Sequence, residues 1–134
     1  MRALIVDDAG IARKMVGRMM SELGFEVIAA EHGQDALDKL DPDQPPAAIV
    51  TDWNMPVMDG VELARALRAM PPYSGIPVLM VSSESDPRRV AKALLSGVDE
   101  YLFKPVDAGM IRERLDIMGV YTSSVATGSP TGAS

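Results

Sequence analysis

Short apolar runs alternate with amphipathic stretches along the chain. Residues 4–6, 25–29, 47–51, 77–81 and 101–103 are mostly aliphatic or aromatic. Runs this short that do not alternate with polar residues read as strands covered on both faces. The stretches between them have helical spacing. Ile11, Met15, Met19 and Leu23 recur every fourth position, flanked by Ala12, Val16 and Met20, and Gly24 is a helix stop. Residues 33–40 place Ala36, Leu37 and Leu40 inward, and residues 59–70 do so with Leu63, Leu67 and Met70. Asp86 reads as an N-cap with Pro87 at the first helical position, ahead of Val90, Ala93 and Leu94 and a stop at Gly97. Asp107 caps a last helix with Ile111, Leu115 and Met118 inward. Proline-rich turns fall at 41–46 and 71–75.

Five strands alternating with five helices predict an α/β fold with a doubly wound parallel sheet. Ligands in such folds bind beyond the carboxyl ends of the strands. The length of 134 residues suits one domain with a sizeable core. Residues 1–119 read as that domain, and 120–134, rich in Ser, Thr and Gly, as a flexible tail. A net charge of −6 argues against broad nucleic-acid binding. No apolar stretch approaches the roughly 20 residues needed to cross a bilayer, and no signal peptide is evident, so the cytoplasm is the expected compartment. Cysteine is absent, which removes thiol chemistry.

The polar residues at the strand ends carry the chemistry. Asp7 and Asp8 follow the first strand, Asp52 the third, Ser82 the fourth and Lys104 the fifth. In one parallel sheet they gather at a single edge. Three carboxylates repel one another without a counter-ion. Mg²⁺ suits such oxygen ligands, and the backbone carbonyl of Asn54, two residues past Asp52, could complete its shell. Asp52, the lone acid after the central strand, is the best nucleophile toward phosphorus. Lys104 and the metal would stabilise charge on the phosphoryl oxygens, and Ser82 would donate a hydrogen bond to one of them.

Four segments, in order and on the right elements, resemble response-regulator receiver domains, most closely the single-domain chemotaxis type (CheY-like). They are Val6-Asp7-Asp8, Asp52-Trp53-Asn54-Met55-Pro56-Val57-Met58-Asp59-Gly60, Val81-Ser82-Ser83-Glu84 and Tyr101-Leu102-Phe103-Lys104-Pro105. The resemblance covers residues 2–118 and implies a flavodoxin-like sheet of order 2-1-3-4-5. It further implies that Asp52 is the phosphoacceptor, that Asp7 and Asp8 organise Mg²⁺, and that Lys104 binds the phosphoryl group. Ser82 and Tyr101 match the family's switch pair: the hydroxyl moves toward the phosphate and the ring turns inward. A cis Lys104–Pro105 bond is implied too. Ser82 stands where Thr is commoner, Ser83 where Ala or Gly is, and Trp53 is bulky for its place after the acceptor. Asn54 and Glu84 match chemotaxis receivers at two positions that influence dephosphorylation, implying a short-lived phosphoryl group.

The resemblance implies no separate substrate, only self-phosphorylation and autodephosphorylation at Asp52. It implies a sensor histidine kinase as donor. The output partner would be a protein such as a flagellar motor switch component or, in a relay, a histidine phosphotransfer protein. A monomer is expected; the alternative reading is a phosphorelay shuttle to a histidine phosphotransfer protein, and after it a phosphate-independent adaptor. A haloacid-dehalogenase-like phosphohydrolase would need acids two apart, but Ala9 and Gly10 stand there. A flavodoxin-like cofactor carrier would need a phosphate loop where Asp7-Asp8 repels phosphate. His32 reads as a surface residue, the methionines as mostly core filling, and Arg88, Arg89 and Lys92 as a basic stripe, either solvated or an output surface.

Overall fold

The computed structural model describes residues 1–121. Its elements are β1 (Arg2–Val6), α1 (Gly10–Glu22), β2 (Glu26–Ala30), α2 (Gly33–Lys39), β3 (Ala48–Thr51), α3 (Gly60–Arg68), β4 (Val78–Ser82), α4 (Pro87–Leu95), β5 (Glu100–Phe103) and α5 (Ala108–Ile117). A short 3₁₀ turn at Pro71–Tyr73 follows α3. All five strands are parallel, in the order β2-β1-β3-β4-β5. The doubly wound α/β sheet and its 2-1-3-4-5 order are therefore present.

The pleat divides the core in two, because successive side chains leave a strand on opposite faces. Leu4, Val6, Ile49, Val78 and Met80 pack with Ala36 of α2, Leu63 and Leu67 of α3, and Ala93 of α4. Ala3, Ile5, Val50, Leu79, Val81 and Leu102 pack with Val16 and Met20 of α1 and Ile111 and Leu115 of α5. With both faces covered, the inner strands β1, β3 and β4 have no polar side to show, which is why they read as unbroken apolar runs.

The caps at Asp86 and Asp107 are as predicted, each side chain accepting a backbone N–H of its helix. Asp59 caps α3 rather than opening it, and Glu62 completes a capping box. His32 caps α2 through Nδ1. The second strand starts one residue later than its apolar run, because Phe25 turns off Gly24 into the α1–α5 layer.

Several side-chain placements differ from the apolar pattern, the half-exposed Phe103 among them. Ile11 is 80% exposed and Met15 54%, whereas Val16 and Met20 are buried. A row of every fourth residue advances about 40° per step around a helix, so it spirals off the packed face. Leu94 is 43% exposed beside the fully buried Ala93, because α4 meets the sheet along the Val90–Ala93 edge. Val120 is buried, and Tyr121 packs on Phe25 and reaches the Leu23 carbonyl. These two residues therefore belong to the body, not to the tail. Residues 122–134, the rest of the predicted tail, lie outside the described residues.

Val57 alone among the described non-glycine residues has positive φ, at 67°. A β-branched side chain is strained there, and at 77% exposure it gains little from packing. Val57→Asn is expected to stabilise the fold by about 1 kcal/mol. The check is a higher urea midpoint at unchanged slope.

Candidate functional site: an acidic cleft at the carboxyl edge of the sheet

The sheet's own hydrogen bonds carry the site residues to one edge. Asp7 N–H donates to Ala30 O, Asp52 N–H to Val6 O, and Lys104 N–H to Ser82 O. Each residue extends the ladder one step past its strand. Asp7, Asp8 and Asp52 then each place a carboxylate oxygen within 4.8 Å of the others. Lys104 Nζ lies 3.3 Å from Asp7 Oδ2 and 3.4 Å from Asp52 Oδ2. The peptide bond after Lys104 is cis.

The carboxylates are not equivalent. Asp7 is buried, with Oδ1 accepting the Ala9 N–H at 2.9 Å. Asp52 Oδ1 accepts the Trp53 N–H at 2.7 Å, while Oδ2 faces Lys104. Asp8 is exposed and has no partner among the described residues. Burial pushes the Asp52 carboxyl above the ordinary aspartate value. The Trp53 N–H and Lys104 oppose that rise, and Asp7 adds to it. Burial also works against the Lys104 ammonium, but Asp52 and Asp7 outweigh it and hold the group above the ordinary lysine value.

One ammonium against three carboxylates leaves the cleft short of positive charge. Its donors are hard oxygens, the set that suits Mg²⁺. Asn54 is exposed two residues past Asp52, and its carbonyl accepts no hydrogen bond among the described residues. The donor set thus fits a hard divalent cation.

Ser82 is buried at the end of β4, its Oγ accepting the Glu84 N–H at 3.1 Å. The Tyr101 ring is turned inward, 9% exposed, and its hydroxyl donates to the Glu84 carbonyl at 2.8 Å. Burial raises the Tyr101 phenol above its ordinary value, and the Ser82 hydroxyl opposes this. Both members of the predicted switch pair therefore rest on one loop residue. Trp53 is accommodated by burial, 2% exposed, with its ring edge-on to Tyr101.

Sequence reasoning does not identify Arg13, whose guanidinium donates to the Asp7 carbonyl at 2.8 Å. The available signal is a cation one turn into α1, since helix side chains lean back toward the N-terminus. Gly60 reads from the sequence as a structural glycine that shapes a turn and a helix end. Its N–H bonds Trp53 O, and it abuts the Asp52 backbone.

No helix among the described residues is long and apolar enough to cross a membrane. Residues 3–116 match the family model of the response regulator receiver domain. The chain is 37% identical to the chemotaxis protein CheY1 of Helicobacter pylori strain J99 over 119 residues, covering 88% of this chain and 96% of that protein. It is also 37% identical to a chemotaxis protein CheY homolog of Campylobacter jejuni strain 81-176, covering 99% and 98%. The solved structure of the chemotaxis response regulator CheY4 of Vibrio cholerae superposes with a TM-score of 0.79 at 32% identity, covering 87% of this chain and 97% of that one. A receiver of this kind takes up and loses a phosphoryl group on its own aspartate, between a sensor histidine kinase and an output protein. On the family match, the sheet order and the acidic cluster together, the chain belongs to the response regulator receiver domain family.

Proposed function

We propose that Asp52 is the phosphoacceptor of a CheY-like response regulator that works in chemotaxis-type signalling. The observation that carries this is the cleft itself: three carboxylates within 4.8 Å of one another and one lysine bridging two of them. Asp52 Oδ1 is tied to the Trp53 N–H, so Oδ2, on the Lys104 side, is the oxygen aimed at phosphorus. A bond forms from Oδ2 to phosphorus as the bond from phosphorus to the donor breaks. With a phosphohistidine donor, the imidazole nitrogen leaves with the electron pair and takes a proton from water. Lys104 stays charged and meets the phosphoryl oxygens. Ser82 Oγ accepts the Glu84 N–H, and its own proton would be donated to one of them.

Asp7, Asp8, Asp52 and the Asn54 carbonyl would hold Mg²⁺. Bound there, the ion supplies charge neutralisation for the carboxylates and the incoming phosphoryl group. The donor would be a sensor histidine kinase. The output would pass to a protein such as a flagellar motor switch component, as the chemotaxis names of the relatives suggest.

Intact-mass measurement after incubation with acetyl phosphate tests this directly. A gain of one phosphoryl group is expected in Mg²⁺ and not in EDTA, and it is lost in Asp52→Ala. A gain that survives in Asp52→Ala would move the acceptor elsewhere.

A further inference from the structure

Arg89, on the first turn of α4, has two neighbours of opposite character. Its Nε lies 2.9 Å from Glu84 Oε1, and its guanidinium sits 4.5 Å from the centre of the Trp53 ring. Arg88 and Lys92, its companions in the basic stripe, instead line an open groove with Arg65 between α3 and α4. Neither has an acidic partner among the described residues. A uniformly solvated stripe would treat all three cations alike.

Both neighbours of Arg89 connect to the cleft. Glu84 offers its N–H to Ser82 Oγ and its carbonyl to the Tyr101 hydroxyl, and its Oε2 accepts the Asp86 N–H. Trp53 follows Asp52, donates to Asp52 Oδ1 and meets the Tyr101 ring edge-on at 6.4 Å. The contacts close a ring through Trp53, Arg89, Glu84 and Tyr101, with Asp52 attached at Trp53 and Ser82 at Glu84. Arginine suits the corner position. Its planar fork pairs edgewise with a carboxylate while its face covers an aromatic ring, and the compact ammonium of lysine cannot do both.

We infer that Arg89 is a positioning residue: it fixes Glu84 and Trp53 so that the Glu84 carbonyl receives the inward Tyr101 hydroxyl, and so favours the switch state in which Asp52 is phosphorylated. The effect on phosphorylation rests on Asp52 being the phosphoacceptor; the effect on Tyr101 does not. Arg89 and Glu84 are partly exposed, so the bias is modest. About a threefold change suits one such pair with one ring contact.

The test compares wild type, Arg89→Ala, Arg89→Lys, Glu84→Ala and the Arg89→Ala/Glu84→Ala double variant, all labelled with fluorotyrosine. Tyr101→Phe assigns the Tyr101 resonance. Phosphorylation by acetyl phosphate in Mg²⁺ is followed by intact mass. Arg89→Ala is expected to slow phosphorylation about threefold and move the Tyr101 resonance toward that of an exposed ring. Arg89→Lys should fall between it and wild type, and in the Glu84→Ala background Arg89→Ala should slow phosphorylation by less than its full factor, because only the Trp53 contact is then left to lose. The inference is overturned if Arg89→Ala leaves both readouts at wild type or speeds phosphorylation. It is equally overturned if Arg89→Ala slows the Glu84→Ala background by its full factor. The Tyr101 resonance is read without phosphate, so a wild type that takes up no phosphoryl group defeats the Asp52 reading and still decides whether Arg89 holds the ring. Should Arg89→Ala unfold, Arg89→Met keeps the cover on Trp53, removes only the pair with Glu84, and is read the same way.

Discussion

Gly60→Ala is expected to destabilise the protein by about 2–4 kcal/mol and to disturb the acceptor in whatever fraction stays folded. A Cβ at Gly60 would run into the Asp52 carbonyl oxygen and lie 2.8 Å from Met80 Cε. The Met80 methyl can swing aside. The Asp52 backbone cannot, because its N–H is bonded to Val6 O and the Trp53 carbonyl is bonded to the Gly60 N–H itself. Relief requires α3 to back away from the end of β3. That would strip cover from Val61, Leu63, Ala64 and Leu67, all buried. Gly75 is the control, since a Cβ there meets nothing within 4 Å. Urea titration should leave Gly75→Ala within about 0.5 kcal/mol of wild type and move the Gly60→Ala midpoint far below it. Coincident midpoints would mean that α3 shifts freely against Asp52 and is not closely packed there.

Gly60 also shows where the sequence stops being legible. Its place after Asp59 marks a helix start, but nothing in the chain says that a carbonyl lies against its Cα. Asp7, Asp8, Asp52, Ser82 and Lys104 are legible for a simple reason: each ends an apolar run, and parallel strands bring all their carboxyl ends to one edge. Placement along a strand is a matter of counting. Placement around a helix depends on rotation, which spacing alone leaves open. Ile11 and Met15 keep the fourfold spacing yet face outward, and Leu94 sits beside the packed edge of α4. Arg89 can be read only as part of a basic stripe, because its partners Glu84 and Trp53 come from a loop and a different strand end. The strain at Val57 is hidden for the same kind of reason, since a positive φ at a valine contradicts every local preference. Composition misleads at Val120 and Tyr121. The Ser/Thr/Gly bias of residues 122–134 makes them look like tail, but an aliphatic and an aromatic residue just past α5 can still close the α1–α5 layer of the core.

Asp52→Asn is expected to make the metal-free protein more stable at neutral pH, by about 1–3 kcal/mol, while abolishing phosphorylation. Burial and the nearby Asp7 raise the Asp52 pKa in the folded state above its ordinary value, despite Trp53 and Lys104. The folded protein therefore binds the Asp52 proton more tightly than the unfolded chain does. The stability linked to that proton is fully present below the ordinary aspartate value and is lost as pH rises through the raised one. Asparagine carries no charge and keeps an oxygen for the Trp53 N–H, so it escapes this loss. Lys104 then loses one of its two carboxylate partners but retains Asp7. In EDTA, the stability difference between Asp52→Asn and wild type should be largest near neutrality and shrink as pH falls toward the ordinary aspartate range. Excess Mg²⁺ should also shrink it, because the cation stabilises the wild-type carboxylates and binds the variant less well. Chemical denaturation across pH, with and without Mg²⁺, reads all of this. Were Asp52→Asn less stable than wild type in EDTA at neutral pH, the pair with Lys104 would outweigh burial and repulsion. Asp52 would then be a structural anchor of the fold, not a group held ready for a cation and a phosphoryl group at some expense to stability.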